Sequence, residues 1–386
     1  MKVLIFGGTG AMGTPLVKYL VDSGNSVFVT TRKARLSTGN IHYITGNAHD
    51  FEFVKKLVCE QRFDAIVDFM VYTTQEFKQR ADMLLKATDH YLFLSSSRVY
   101  ADSDSPITEN SPRLLDVSKD SEYLQTDEYA LAKARQENIL FASTNKNWTI
   151  IRPYITYNIE RLQLATLEKD IWLRRALEGH KILLPQDVAV HKTTMTYGDD
   201  VARAISLLIG NEKAKAEAVH LTSTEPMTWK TVLKIYTDVI ETKFGVSPEI
   251  WMPETSDVIA DAIGNKYQIR YDRMFDRVFD NSKMLELCGK DFAFLSMEIG
   301  LRKCLEKFLV SPRWIDVDST WVARLDRAEK CTHTLKDFET PQQKMKYIGW
   351  RYCPTGMTVL KKVVHKLPIN HKVIFDYLFK SSYMPV

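Results

Sequence analysis

Tyr129 and Lys133 are the pair of residues whose types and spacing best suit proton transfer. They lie four residues apart in DEYALAKARQENIL, a segment rich in helix-forming residues. Side chains at positions i and i+4 of a helix share one face. An ammonium group beside a phenol favours the phenolate, which makes the tyrosine a credible general acid or base for a carbonyl and alcohol pair. The ordinary alternative is an exposed tyrosine and lysine on a helix surface.

Three consecutive serines form a second candidate group. Ser95, Ser96 and Ser97 lie in LFLSSSRVY, at the end of what we predict to be the fifth strand of a sheet. Ligands of open α/β folds bind at the carboxyl ends of the strands. A hydroxyl there can donate a hydrogen bond to a substrate oxygen whose charge is changing. Serines at strand ends also form ordinary turns, and that alternative stays open.

The glycine-rich stretch FGGTGAMGTP is suited to hold a phosphate. It lies between a predicted strand at Val3–Phe6 and a predicted helix at Ala11–Val21. Gly7, Gly10 and Gly13 permit a tight turn, close approach of a phosphate and close packing of helix on strand. The unpaired N–H groups of the helix N-terminus attract an anion. We predict a pyrophosphate site here, with a purely structural turn as the alternative.

The end of the second predicted strand bears on the choice of cofactor. Dinucleotide folds often have an acidic residue there that binds the adenosine ribose, whereas this chain has Thr30 and Thr31 followed by Arg32 and Lys33. The two cations can bind a 2′-phosphate through charge-assisted hydrogen bonds. This favours NADP over NAD, unless both cations are simply solvated in a loop.

Apolar runs alternate with helical stretches along the first part of the chain. The predicted strands are Val27–Thr30, Ile41–Thr45, Ala65–Phe69 and Tyr91–Ser95, and the predicted helices include Phe51–Cys59 and Thr74–Ala87. This alternation is typical of a parallel, doubly wound Rossmann-type sheet. We therefore expect an α/β fold with a dinucleotide-binding domain at 1–152, a smaller substrate lobe at 153–330 and a basic extension at 331–386.

Five motifs follow one another in order: GGTGAMG, SSSRVY, YALAK, IIRPYITY and YGDDVARA. Together they resemble the extended short-chain dehydrogenase/reductase family, especially its NAD-dependent epimerase/dehydratase branch, from Met1 to Arg327. The resemblance implies that Tyr129 donates or accepts a proton and that Lys133 binds the nicotinamide ribose. It also implies that Ser96 is the hydrogen-bond partner of the substrate carbonyl, with Ser97 as the second choice.

The same resemblance implies contacts with the dinucleotide. Asn47 stands where the family has an aspartate against adenine, and an amide can also hydrogen-bond that base. The expected cofactor-binding residues are Gly7, Thr9, Gly10, Ala11, Met12, Gly13, Arg32, Lys33, Asn47, Ala48, Phe69, Met70, Tyr129, Lys133 and Pro153.

Two departures from the family's pattern narrow the expected reaction. Sugar-nucleotide 4,6-dehydratases have an Asp-Glu pair after the active-site hydroxyl, where this chain has Ser97 and Arg98, so elimination of water is disfavoured. Many relatives that bind sugar nucleotides have an arginine for the diphosphate at the place of Thr193, although the neighbouring Lys192 can substitute.

The second half of the chain is more irregular. The predicted helices there are Leu162–Leu177, Val201–Ile209, Trp229–Phe244 and Met297–Phe308. Five cations are candidates to face an anionic substrate, although solvated surface positions are the more ordinary explanation: Arg152, Arg161, Arg174, Arg175 and Lys192.

Composition excludes several classes of protein. With 45% hydrophobic and 26% charged residues and no long apolar run, the chain is expected to be soluble and globular. The five cysteines are irregularly spaced, which indicates neither disulfides nor a metal site. The first predicted strand begins too close to Met1 for a secretory signal, so a cytoplasmic location is expected.

Positive charge is concentrated at the C-terminal end. Of a net charge of +4, residues 331–386 alone contribute +6, because nine basic residues face three acidic ones. The segment TVLKKVVHKLPINHKVIFDYLF mixes basic with apolar residues, which suits an anionic membrane surface or a partner. A helical appendage packed on the body is the alternative.

These patterns predict an NAD(P)-dependent enzyme that transfers a hydride to or from a carbon of a nucleotide-linked sugar. A keto-sugar reductase or an epimerase fits better than a 4,6-dehydratase; Arg32 and Lys33 favour the reductase, and the family's pattern favours the epimerase. The alternative is a non-catalytic dinucleotide-fold protein that acts as a redox sensor or binds RNA. The expected partners are a small-molecule substrate and, from the resemblance, a second copy in a homodimer; no nucleic acid is expected.

Overall fold

A computed structural model describes residues 1–365, and a seven-stranded parallel sheet is its central element. The strands of this sheet are β1 (Lys2–Phe6), β2 (Ser26–Thr31), β3 (Ile41–Thr45), β4 (Phe63–Asp68), β5 (Thr88–Leu94), β6 (Trp148–Pro153) and β13 (Glu217–Leu221). Their spatial order is β13-β6-β5-β4-β1-β2-β3, with every neighbouring pair parallel. The strand order reverses direction at β1, which creates the crevice where such sheets bind ligands. The predicted doubly wound fold is confirmed.

Both faces of the sheet are covered by helices. Those that follow the strands are α1 (Gly13–Asp22), α2 (Phe51–Glu60), α3 (Thr74–Lys86), α4 (Leu114–Val117), α5 (Ser121–Leu124), α6 (Tyr129–Ala142) and α9 (Gly198–Leu208). Strand β1 shows how the core is divided: Val3 and Ile5 belong to one apolar cluster, and Leu4 and Phe6 to another. Alternate residues therefore point to opposite buried faces, as expected for a parallel strand covered on both sides.

By its contacts the chain divides into two compact units. The first consists of Met1–Leu162, His191–Thr228 and Phe275–Lys307, and it contains the whole central sheet. Its remaining elements are β7 (Thr156–Tyr157), β11 (Lys192–Thr193), β12 (Thr196–Tyr197), β14 (Met227–Thr228), α13 (Ser282–Cys288) and most of α14 (Met297–Val310). The domain boundaries expected at 152 and 330 stay a prediction.

The second unit consists of Gln163–Val190, Trp229–Met274 and the described residues from Phe308 onward. Its strands are β8 (Gln163–Leu164), β9 (Leu167–Glu168), β10 (Ile182–Leu183) and β15 (Ile250–Trp251). Its helices are α7 (Lys169–Leu177), α8 (Gln186–Ala189), α10 (Trp229–Phe244), α11 (Asp257–Ile263), α12 (Lys266–Gln268), α15 (Ser319–Glu329), α16 (Pro341–Tyr352) and α17 (Pro354–His365).

One predicted helix is partly wrong. The helix expected over Leu162–Leu177 begins only at Lys169, because the residues before it form the hairpin of β8 and β9. The turn of that hairpin has Ala165 at φ 52°, a left-handed conformation that no continuous right-handed helix can contain.

Among residues 1–365 no helix has the length and apolarity required to cross a membrane.

Candidate active site

The glycine turn between β1 and α1 is tightly packed on its inner side and open on its outer side. Gly7 has φ 75°, and a Cβ on Gly13 would lie 2.5 Å from the backbone of Gly8. A Cβ on Gly10 would meet the Gly7 carbonyl oxygen at 3.8 Å, so its outer side has room. Within the described chain, α1 has neither an acidic residue in its first turn nor a side-chain cap. The turn and the helix N-terminus therefore fit a pyrophosphate.

The other predicted cofactor residues of this region lie around the turn. A Cβ on Gly7 would lie 3.3 Å from Cβ of Phe69 and 3.5 Å from Sδ of Met70, which places both residues after β4 beside the glycines. Thr9 is exposed, and Ala11 and Met12 are half-buried. The segments after β1 and β4 thus meet at one edge of the sheet.

The residues after β2 and β3 lie at the same edge. Arg32 and Lys33 are exposed, and the Thr31 hydroxyl donates to the Lys33 carbonyl oxygen at 2.9 Å, which orders the turn. Asn47 is exposed and accepts a bond from the His49 N–H at 3.1 Å. Ala48 is buried beside it, and Pro153 ends β6 in a buried position. Because the strands are parallel, these segments all lie at the carboxyl edge of the sheet, where open α/β folds bind their ligands. Their contacts with a cofactor stay a prediction.

Lys133 connects helix α6 with the ends of two strands. Its side chain is buried, and Nζ donates to the carbonyl oxygens of Leu94 at 2.6 Å and Met70 at 3.4 Å. Burial lowers the pKa of the ammonium group to about 8, although Asp68 and Glu137 oppose this effect. Lys133 is therefore a fixed cation at the carboxyl edge of the sheet.

Tyr129 begins helix α6 and is hydrogen-bonded to Ser96. Burial raises the pKa of Tyr129, and the largest opposing effects come from the cations Arg98 and Arg161, followed by the bond with Ser96; Glu128 raises it further. The Nζ atom of Lys133 lies 6.0 Å from the centre of the Tyr129 ring. Besides Lys133, the cation expected to favour the phenolate, Arg98 and Arg161 therefore act on the same phenol and lower its pKa.

Arg98 is a site residue that sequence reasoning missed as a contributor to this chemistry. Its Cζ lies 5.2 Å from the centre of the Tyr129 ring, and its Nη2 donates to a Glu128 oxygen at 2.6 Å. The other Glu128 oxygen accepts from the Ala130 N–H at 2.8 Å and caps helix α6. The sequence feature that could have identified it is its position in the motif SSSRVY, where Arg98 follows the three serines and precedes Tyr100.

The three serines have separate roles in the structure. The Ser95 hydroxyl donates to Glu137 at 2.6 Å, and the Ser97 hydroxyl donates to the Arg152 carbonyl oxygen at 2.8 Å; both serines are buried. Ser96 contacts Tyr129 and accepts from the Arg98 N–H at 3.2 Å. The geometry therefore favours Ser96 over Ser97 as the hydroxyl available to a substrate.

Two buried carboxylates support the site, and neither was predicted. Asp68 accepts bonds from the Met70 N–H at 3.0 Å and the Tyr91 hydroxyl at 2.8 Å, and burial raises its pKa. Glu137 binds the Arg152 guanidinium through two contacts of 2.8 Å. Glu137 lies four residues after Lys133 on α6, and this spacing, which places both side chains on one helix face, is the sequence feature that could have identified it.

The expectation that the five cations are solvated or face a substrate is wrong for two of them. Arg152 is buried against Glu137, and Arg175 is buried with Asp326 and with Glu329 at 2.6 Å. Burial of a cation is tolerated when such partners compensate the lost hydration. The other members of the group differ: Arg161 is half-buried, Arg174 pairs with Glu178 at 3.0 Å, and Lys192 is exposed beside the buried Thr193.

Comparison with known proteins agrees with this architecture. A model of the NAD dependent epimerase/dehydratase family matches residues 3–221. The chain is 25% identical over 248 residues to the chloroplast stem-loop binding protein of 41 kDa b of Arabidopsis thaliana, covering 60% of this chain and 61% of that protein. It is 23% identical over 239 residues to the 2′-dehydrokanamycin reductase of Streptomyces kanamyceticus, covering 60% of this chain and 64% of that protein.

The chain thus spans less than two thirds of the length of these two curated relatives. Among solved structures, it is similar to the UDP-glucuronic acid 4-epimerase of Bacillus cereus in complex with UDP-glucuronic acid and NAD. The TM-score is 0.58 at 16% identity, and the match covers 80% of this chain and 100% of the epimerase chain. This likeness agrees with the fold derived above.

Proposed function

The chain belongs to the NAD-dependent epimerase/dehydratase family, and we propose that it transfers a hydride to or from a carbon of a nucleotide-linked sugar. The single observation that best supports this is the contact of Tyr129 with Ser96, with Lys133 fixed one turn further along α6. A relative described as a reductase and a structural neighbour described as a sugar-nucleotide epimerase agree with the proposal.

Tyr129 and Ser96 would handle the proton of the substrate oxygen. For reduction, Ser96 donates a hydrogen bond to the carbonyl oxygen while Tyr129 gives that oxygen its phenolic proton. For oxidation, the phenolate of Tyr129 takes the proton of the hydroxyl group. Arg98 and Lys133 keep positive charge near the phenolate, which lowers the free energy of the state in which Tyr129 has lost its proton.

The bound nicotinamide supplies or accepts the hydride. The glycine turn from Gly7 to Gly13 would hold the pyrophosphate, Asn47 the adenine and Lys133 the nicotinamide ribose. Arg32 and Lys33 are exposed at the end of β2, where they would bind a 2′-phosphate, so we propose NADP rather than NAD as the preferred cofactor. The Bacillus cereus neighbour was crystallised with NAD.

The residues beside Ser96 favour a keto-sugar reductase or an epimerase over a 4,6-dehydratase. Elimination of water from a sugar needs an acid and a base beside the carbons that react. The two positions after Ser96 hold Ser97, which is buried on the Arg152 carbonyl oxygen, and Arg98, which is paired with Glu128. Neither side chain is suited to act as that acid or base.

The first experiment is to denature freshly purified protein, identify any nucleotide released, and titrate the cofactor-free protein with NADPH and NADH. Tightly retained NAD would support an epimerase that reuses its cofactor and would contradict the NADP preference. An empty site that prefers NADPH would support a reductase. Binding of neither nucleotide would contradict the proposed function.

A second candidate, a non-catalytic binding protein, is favoured by one observation: a curated relative is described as a stem-loop binding protein. The two candidates differ in what Tyr129→Phe would change. For the enzyme, turnover of a keto-sugar or nucleotide sugar is lost; for the binding protein, affinity for a stem-loop is unchanged because that affinity does not need the phenol.

A further inference from the structure

Helix α17 exposes a row of aliphatic side chains to solvent. Val359 is 55% exposed, Leu360 39% and Val363 52%. Single exposed apolar residues are normal on protein surfaces, but three within five residues of one helix form a patch. Such a patch needs a physical explanation.

The patch lies on one side of an amphipathic helix. At about 100° per residue, Val359, Leu360 and Val363 fall within an arc of roughly 100°. Lys361 and Lys362 fall outside this arc, toward the opposite side, and both are exposed. The helix therefore separates an aliphatic side from a basic side, which is the pattern of helices that lie in the plane of a membrane interface.

The start of α17 is anchored by its own unit. Met357 packs against the cluster of Phe338, Tyr347 and Trp350, so the first turn of the helix is attached to the second unit. The neighbouring helix α16 has exposed apolar residues as well, at positions i, i+3 and i+7: Met345 at 50%, Ile348 at 43% and Tyr352 at 61%. An anchored base with an aliphatic patch beyond it is a suitable arrangement for docking.

The charge of the segment identifies the kind of surface. From Pro354 to the end of the chain there are five lysines (Lys361, Lys362, Lys366, Lys372 and Lys380) and one acidic residue, Asp376. Two copies of so basic a segment repel each other, which disfavours a second copy of this chain as the occupant. A bilayer with anionic head groups attracts the lysines and accepts the aliphatic residues at the same interface.

We propose that α17 docks the protein on the surface of an anionic lipid bilayer. Val359, Leu360 and Val363 enter the boundary between head groups and acyl chains, and Lys361 and Lys362 bind lipid phosphates. The association is peripheral and reversible, and it weakens as salt screens the lysines. The proposal is independent of the reaction at Tyr129.

Co-sedimentation of the full-length protein with vesicles tests the proposal. One set of vesicles contains phosphatidylcholine alone, and the other contains phosphatidylcholine mixed with phosphatidylserine. We expect binding to the second set only. Since each lysine near an anionic surface contributes about fivefold in affinity, the double variant Lys361→Glu and Lys362→Glu should bind at least roughly 25-fold more weakly. The matched control is Lys55→Glu and Lys56→Glu, an equal change of charge at exposed positions of α2, which should bind as the wild type does.

The aliphatic side is tested by the triple variant Val359→Ser, Leu360→Ser and Val363→Ser. We expect a loss of at least about tenfold, because buried aliphatic surface supplies part of the affinity. The control substitutes serine at the exposed Val190, Val246 and Val310. Equal binding of both vesicle types, or of the α17 variants and the wild type, would overturn the proposal. The proposal would also be overturned if ultracentrifugation showed a dimer for the wild type and a monomer for the serine triple variant while vesicle binding was unchanged.

Discussion

The guanidinium group of Arg98 lies over the ring of Tyr129, with 5.2 Å between Cζ and the ring centre, and Glu128 holds it there through an ion pair of 2.6 Å. Glu128 is also the capping residue of the helix that begins with Tyr129. One carboxylate therefore fixes both the cation and the start of the helix, so the orientation of ring and cation is coupled. A cation on an aromatic face stabilises negative charge on the phenol oxygen.

Replacement of Arg98 by Gln should raise the pKa of Tyr129, because the largest opposing charge is removed. We expect kcat/KM at neutral pH to fall on the order of tenfold and its pH profile to shift toward higher pH. NMR of ring-labelled tyrosine, assigned with the Tyr129→Phe variant, measures the pKa directly and needs no substrate. Arg98→Lys, which keeps the charge, should show a smaller shift. An unchanged pKa in Arg98→Gln would contradict the role of this cation.

Replacement of Tyr129 by Phe should lower kcat by roughly 10²- to 10⁴-fold, the usual contribution of a general acid or base. Cofactor binding should persist, since the glycine turn and Lys133 are untouched. The matched control is Tyr352→Phe, at an exposed tyrosine of α16. Turnover that survives in Tyr129→Phe would show that another group transfers the proton.

The double variant Arg32→Ala and Lys33→Ala should weaken NADPH binding at least about tenfold, because charge-assisted hydrogen bonds contribute roughly 1.5–3 kcal/mol. NADH binding should change little, since NADH lacks the 2′-phosphate. Fluorescence titration with both nucleotides measures the ratio of the two affinities, and Lys55→Ala with Lys56→Ala controls for net charge. A preference of the wild-type protein for NADH would by itself contradict the assignment of Arg32 and Lys33 to the 2′-phosphate.

The sequence was sufficient to predict the sheet and to place the candidate residues at its carboxyl edge, because both depend on local patterns. The glycine turn and the Tyr129 and Lys133 spacing are readable within a few residues. The roles of Arg98, Asp68 and Glu137 depend on contacts between distant segments, which no local pattern specifies. The same reason explains the error at Arg152, whose partner Glu137 lies 15 residues away.

The predicted contact of residues 331–386 with the body or with a membrane falls partly outside the described residues, since 366–386 are not described. Two residues of the described part, His333 and Tyr347, belong to a buried polar cluster around Asp326 of α15. This carboxylate accepts from the His333 ring at 2.7 Å and the Tyr347 hydroxyl at 2.7 Å, and it is paired with Arg175. The cluster joins α7, α15 and α16 within the second unit.

Replacement of Asp326 by Asn should destabilise the protein by less than the roughly 3–5 kcal/mol of an uncompensated buried charge, because Arg175 would lose one of its two buried partners and keep Glu329. The pKa of Asp326 is lowered despite burial, by His333 and Arg175, so its stabilising effect is present above its unfolded pKa and is lost as pH falls. The pKa of His333 is raised by Asp326 and Glu178, so its effect is lost as pH rises through the folded value. The free energy of unfolding, measured in urea at a series of pH values, should therefore pass through a maximum, and Asp326→Asn should flatten this maximum. An unchanged pH dependence in the variant would contradict the coupling between Asp326 and His333.

His90 should make the protein less stable in mild acid. The Gly210 N–H donates to its Nδ1 at 3.0 Å, and Nε2 lies 2.7 Å from the Thr149 hydroxyl oxygen, so the buried ring fits as the neutral tautomer. Burial lowers its pKa to about 4. Between that value and the unfolded pKa of about 6.5 the unfolded chain binds more protons, so stability falls with falling pH by up to about 3 kcal/mol.

The variant His90→Asn keeps an acceptor for the Gly210 N–H and removes this titration. Its free energy of unfolding, measured in urea from about pH 7 to about pH 5, should therefore fall less steeply than that of the wild type. His220 is also buried with a lowered pKa and contributes equally to both proteins, so the difference in slope reports His90 alone. His49→Asn at an exposed position is the control and should follow the wild type. Parallel curves for His90→Asn and the wild type would mean that the folded protein admits a proton at His90 without cost.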